Sequence, residues 1–105
     1  MWVWTLDERL VNLDVMESIE VIEVYPDDVD QAQIEAGAAE PDLFELVAVS
    51  TGGVEYVLFD SEDGDTAYQA YQALAAAVAG GPATSPGRPV WVADLVASGQ
   101  GRLDN

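Results

Sequence analysis

The sequence contains no cysteine, no histidine and no lysine, and its three basic residues are all arginine: Arg9, Arg88 and Arg102. Without cysteine there is no disulfide and no thiolate metal site, and the redox compartment stays open. Without histidine, lysine or cysteine the chain has no imidazole base, no Schiff-base amine and no thiolate nucleophile. Ser50, Ser61, Ser85 and Ser98 therefore lack a base to activate them. A pair of carboxylates can hydrolyse glycosides, but only across a cleft, and a chain of 105 residues has little room for one. No glycine-rich phosphate loop is present: Gly52-Gly53 lies between two strand-like runs, and Gly80-Gly81 follows a helix instead of opening one. No enzyme activity and no cofactor are expected.

The scarcity of positive charge excludes more. Phosphate contacts need Lys and Arg, so direct nucleic-acid binding is not expected. Attachment to an anionic membrane is not expected either. The longest apolar run, near Leu74–Ala79, is far too short to span a bilayer. The opening Met1-Trp2-Val3-Trp4 lacks the basic-then-apolar pattern of a secretory leader, and the expected compartment is the cytoplasm.

What is abundant is acid. Twenty Asp and Glu against three Arg give a net charge of −17, and the excess is segregated. Residues 1–65 hold eighteen acids and one arginine, whereas residues 66–105 hold two of each. One side of the fold should be strongly negative and the other nearly neutral. The plain reading of this acidity is solvation, as in a source with high internal salt or GC-rich coding. The sharper reading is an acidic face, Glu17, Glu20, Glu23, Asp27, Asp28 and Asp30, that meets a protein partner of basic character. Half of the residues are hydrophobic, enough to bury one core despite the charge. The chain reads as a single domain, 1–105.

Alternation over Met1–Leu6 predicts a strand, with Trp2, Trp4 and Leu6 on one face and Val3 and Thr5 on the other. Leu10–Leu13 reads as a short return strand and Ser18–Tyr25 as a longer one. In the latter, Ile19 and Val21 share a face but Ile22 and Val24 share the opposite one. Either both faces are covered or a β-bulge near Val21–Ile22 shifts the phase. Residues 27–42 form an acidic, Ala-rich, flexible insertion in which Asp28 could start a short helix through Ala36, ended by Gly37. Phe44–Ser50 and Val54–Phe59, joined across Thr51-Gly52-Gly53, predict a hairpin.

An acidic corner, Asp60 to Asp65, then leads into a helix over Thr66–Ala79, with Ser61 or Asp65 as its N-cap. The corner resembles a calcium loop but fails the test. Counted from Asp60 its glycine falls at position five, and Tyr71 stands where a bidentate Glu belongs. No metal site is expected. Gly80 to Pro89 is a Pro/Gly linker, Arg88–Val96 reads as a last strand, and the tail after Ala97 reads as frayed. Trp2, Trp4 and Trp91 are expected to fill the interior or its open end.

The helix carries no charged residue, which is unusual for an exposed surface. Tyr68, Tyr71, Leu74 and Val78 form the stripe expected to pack on the sheet. The opposite side, Gln69, Ala70, Ala73 and Ala77, is flat and uncharged and is expected to be an interface. Either the last segment of the chain covers it, or a second copy does, making a homo-oligomer.

The Trp-led first strand, Leu10-Val11-Asn12-Leu13-Asp14, the Ile/Val strand, the hairpin and the helix opening Ser-Glu-Asp resemble small bacterial and phage proteins with a pleckstrin-homology-like half-barrel and one helix. The resemblance spans roughly residues 1–79 and transfers no catalytic residue. The expected fold is α+β: a curved antiparallel sheet of five to six strands with the helix packed across it. The expected function is a non-catalytic protein–protein interaction module that self-associates through its neutral side and presents an acidic side. The alternatives are an acidic inhibitor that mimics nucleic acid to occupy a DNA- or RNA-binding enzyme, and a structural subunit of a larger assembly.

Overall fold

A computed structural model describes residues 1–80 and 88–103, with side chains described for 1–79 and 88–97. Trp2–Trp4 (β1) and Leu10–Asn12 (β2) form an antiparallel pair. Ser18–Val24 (β3), Leu43–Val49 (β4) and Glu55–Ser61 (β5) form a second antiparallel sheet with β4 in the middle. Three α-helices are described: Gln31–Glu35 (α1), Gly64–Gly80 (α2) and Val92–Leu103 (α3). The class is α+β, but the strands divide into two sheets of two and three. The division has a local cause. Asn12 Oδ1 accepts the Asp14 N–H at 3.1 Å, and a 3₁₀ turn over Leu13–Val15 swings the chain away before β3 can pair with β2.

The two sheets touch through backbone. The Leu6 N–H donates to Val57 O at 2.9 Å, on the β5 edge. Along the same edge of this segment, the one turned away from β2, Val3 makes a parallel bridge with Val90. There the Trp4 N–H donates to Val90 O at 2.9 Å and the Val90 N–H to Trp2 O at 3.1 Å.

The register of β3 on β4 runs unbroken from Ser18 opposite Val49 to Val24 opposite Leu43, so no bulge lies near Val21–Ile22. Val21 and Ile22 are both half-buried, one on each face. The bulge is on β5, where Leu46 opposes Phe59 and Val47 opposes Val57. That leaves Leu58 as the extra residue, turned into the core.

Two hairpin turns share one hydrogen-bond plan. In the predicted Thr51-Gly52-Gly53 turn, Ser50 donates its N–H to Val54 O at 2.9 Å. Ser50 also accepts the Gly53 N–H on its carbonyl at 2.9 Å and the Val54 N–H on Oγ at 3.1 Å. Thr5 makes the same contacts between β1 and β2, donating to Arg9 O and accepting the N–H groups of Glu8 and Arg9. The plan requires a left-handed residue before the last position. Gly53 meets that need at φ 84°, whereas Glu8 is held at φ 65° with a full side chain.

The helix forms where predicted and extends to Gly64–Gly80, but it is rotated about its axis from the expected phase. Ala67, Ala70, Leu74 and Ala77 are the buried positions, and Tyr71 is half-buried. Tyr68 is 56% exposed and Val78 45%. The interface expectation for Gln69, Ala70, Ala73 and Ala77 is therefore corrected: Ala70 and Ala77 lie inside, Ala73 is half-buried and only Gln69 is exposed.

The reason is α3, which packs on α2 and reaches β5. The expected strand over Arg88–Val96 is confined to the bridge at Val90, and a helix begins at Val92. Val92, Leu95 and Val96 face inward at i, i+3 and i+4, a helical spacing hidden beneath the local alternation of Val90 to Val92. Alanine has nothing beyond Cβ, so it lets α3 approach closely. The last segment covers the alanine side from within the chain, as a helix. That helix continues past Ala97 to Leu103, while the linker at 81–87 and residues 104–105 lie outside the described residues.

The core joins Val3 and Val11 of the small sheet, Leu46, Ala48 and Leu58 of the larger one, and Ala70, Leu74, Val92 and Val96 of the two helices. The tryptophans do not fill it. Trp2 and Trp91 are exposed, and Trp4 stacks on Trp91 at 5.7 Å between ring centres, capping the surface instead. Val3 and Thr5 form the buried face of the first strand.

The rotated phase is directly testable. Ala70→Leu should destabilise the fold by about 1–3 kcal/mol through overpacking. Ala76→Leu, on the exposed arc, should change stability by less than about 0.5 kcal/mol. Denaturant unfolding of the two variants measures both, and a similarly small effect for Ala70→Leu would return that position to the surface, where the expected phase of the sequence puts it.

Candidate functional site

Among the described residues, three surfaces combine polar and apolar features not spent on the core. The first is an open hollow of about 430 Å³ between the β1–β2 turn and the outer face of β5. Asp7, Glu45, Glu55 and Asp60 give it four carboxylates, and Arg9 gives it one guanidinium. Arg9 Nε lies 3.0 Å from Asp7 Oδ2, so the cation is already paired. Glu45 and Asp60 stand directly opposite each other on adjacent strands, an arrangement of like charges that costs stability.

Thr5 organises the rim of this hollow. It is fully buried, its Oγ1 accepts the Arg9 N–H at 2.8 Å, and its hydroxyl donates to Asp7 Oδ1. That hydroxyl, followed by the Arg9 charge, holds the Asp7 carboxyl below the usual aspartate range. Asp7 therefore adds stability that is present above the ordinary aspartate pKa and lost as pH falls through the lowered one.

The second surface is an apolar hollow of about 370 Å³ between the start of β3 and the outer side of α2. Leu13, Met16, Ile19, Tyr71 and Val78 line it, with Glu17 at the rim. It merges with the exposed arc of α2, where Tyr68, Gln72, Ala75, Ala76 and Ala79 carry no charge.

The third is the predicted acidic face, and the structure places all six of its residues at the surface. Glu17, Glu20, Glu23, Asp27, Asp28 and Asp30 are exposed. They run along β3 and its exit from the sheet, with Glu20 and Glu23 on opposite faces of the strand. Glu20 accepts the Ser18 hydroxyl at 2.9 Å and Glu23 accepts the Tyr25 hydroxyl at 3.3 Å. Partial burial and the Glu23 charge push the Tyr25 hydroxyl above its ordinary range. Asp30 starts α1, its N–H donating to Gln33 Oε1 at 3.0 Å, and Gly37 ends that helix region at φ 73°.

The acidic corner before α2 is used for capping. Asp63, rather than Ser61 or Asp65, is the cap: its Oδ1 accepts the Asp65 N–H at 3.2 Å and its Oδ2 accepts the Thr66 hydroxyl at 2.8 Å. Ser61 Oγ in turn accepts the Asp63 N–H at 3.0 Å. Gly64 opens the helix because a Cβ there would meet the Phe44 ring at 3.1 Å. Among the described residues no three acidic side chains converge closely enough to hold a metal ion.

The sequence points to six acids that the structure exposes, but to neither hollow. The signal for the first was the polar Asp7-Glu8-Arg9 turn, which no local pattern ties to β5. The signal for the second was the mixed phase of β3, which leaves Ile19 beside the helix. Comparison with protein-family models, curated proteins and solved structures gave no match to this chain.

Two substitutions at the rim have opposite expected signs. Thr5→Val removes the hydroxyl from both Asp7 and the Arg9 N–H. It should raise the Asp7 pKa toward the usual value in an NMR titration and cost about 1 kcal/mol of stability. Glu8→Gly should stabilise by roughly 0.5–1 kcal/mol in thermal unfolding, by relieving the left-handed glutamate against glycine's larger entropy loss.

Proposed function

We propose that the chain is a non-catalytic protein–protein interaction module of the cytoplasm, self-associating through the exposed arc of α2 and presenting its acidic edge outward. One observation carries this reading. On a chain of net charge −17, α2 has only Asp65 as a charged residue and leaves Tyr68 and Val78 largely uncovered. Two copies of so acidic a protein repel each other wherever carboxylates face, and the α2 arc lets them meet without opposing charges. The contact uses Tyr68, Gln72, Ala75, Ala76 and Ala79, not the alanines beneath α3. A tyrosine at the centre of a flat Ala/Gln surface supplies area at low entropic cost.

The half-barrel layout belongs to the same proposal. The Leu6-to-Val57 hydrogen bond carries the chain from β1 onto the β5 edge, which supports treating the two sheets as one interrupted curve.

Mimicry of nucleic acid draws less support. Glu17, Glu20 and Glu23 recur at every third residue, roughly 10 Å apart along an extended strand. Phosphates of one DNA strand follow at about 3.4 Å along the axis.

Light scattering after size exclusion tests self-association. A dimer or closed ring is expected at low and at high salt, and Ala76→Glu, with little change in helix propensity, should return it to a monomer of unchanged stability. A wild-type monomer in both salts would sink the reading.

A further inference from the structure

The outer edge of β3 is a seven-residue strand that no other described strand pairs with. β4 satisfies one side of it, so alternate backbone N–H and C=O groups along Ser18–Val24 point away from the sheet. Its side chains make a pattern that selects an occupant. Ile19, Val21, Ile22 and Val24 are half-buried, while Glu20 and Glu23 are exposed, one on each face. Glu17 stands before the strand and Asp27, Asp28 and Asp30 follow it, with no positive charge anywhere from Leu10 to Ala79.

We propose that this edge is a strand-addition site for an extended segment of a partner protein that carries Lys or Arg at every third position between apolar residues. Backbone hydrogen bonds along β3 supply affinity, and the side chains opposite supply selectivity. The segment that fits reads apolar, basic, apolar, apolar, basic, apolar against Ile19 to Val24. Its two cations face Glu20 on one face of the sheet and Glu23 on the other. The residue opposite Ile19 projects toward the hollow lined by Met16, Ile19, Tyr71 and Val78, and a bulky apolar side chain suits it.

A second copy of β3 is the wrong occupant. Antiparallel pairing centred on Val21 sets the two Glu20 carboxylates diagonally, roughly 7–8 Å apart. Pairing slipped by one step puts Glu20 directly opposite Glu23, which is worse. A basic strand converts each of these repulsions into an attraction. The inference rests on the reading of the chain as an interaction module but not on its self-association, because β3 and the exposed α2 arc are different surfaces.

The test uses the full chain and a hexapeptide with lysine at its second and fifth positions and valine at the other four. A control peptide of the same sequence has its alternate backbone amides N-methylated, which keeps charge and side chains but removes the ladder donors. Amide exchange and chemical-shift mapping should show protection and shifts along Ser18–Val24. Glu20→Gln with Glu23→Gln, both at exposed positions, should weaken binding by about tenfold. N-methylation should abolish binding. The proposal is overturned if the lysine peptide does not bind, if the methylated peptide binds equally well, or if the shifts map to Glu45, Glu55 and Asp60 instead. Light scattering on the same samples reports self-association separately, so either reading can fail alone.

Discussion

The structure depends on how closely α3 can approach α2. Ala67, Ala70 and Ala77 are buried and offer only methyl groups, and α3 packs on α2 with Val92 and Val96 in the same core as Ala70 and Leu74. The contact fixes the rotation of α2 about its own axis. That rotation decides which residues α2 gives to the core and which it leaves outside. Had larger side chains stood at the alanine positions, α3 would be pushed away and its apolar face left uncovered. Tight packing of this kind tolerates little change in volume, because interiors are close to crystal density.

From that contact the surface chemistry follows. Covering the alanine side uses up the region of the helix that carries the least polarity. What remains outside is the Tyr68–Gln72–Ala76 arc and the hollow beside Ile19. Most of the carboxylates lie on β3, on the insertion and around the β1–β2 turn, with Glu17 at the rim of the hollow and Asp63 and Asp65 at the start of α2. The structure also places like charges together, as at Glu45 and Asp60, where a fold under selection for stability alone would separate them. The small sheet is held by backbone along the edge of its first strand that faces away from β2, through Val90 and Val57, and by the fully satisfied Thr5 at its turn.

Local chemistry explains which elements were legible in the sequence. The hairpin, the long helix, Gly37 as a stop and the exposure of the six acids all follow from glycine conformation, charge and short-range periodicity. The cap of α2 was misjudged by two residues because several carboxylates compete there. Only the backbone path shows that the Asp63 carboxylate reaches the free Asp65 N–H. The last segment was misread because Val90-Trp91-Val92 alternates like a strand. Its helical face, Val92, Leu95 and Val96, becomes visible only when a second helix is present to receive it.

The sequence by itself determined the class, the hairpin, the helix and the separation of charge, since each depends on residues within a few positions of one another. Tertiary structure alone decided the bulge at Leu58, the rotation of α2 and the two hollows. Those depend on contacts between different elements of the fold. An uncharged helix has no polar stripe to announce which face is outside, so its phase is set by whatever packs against it. Here that is α3, the next helix in the chain.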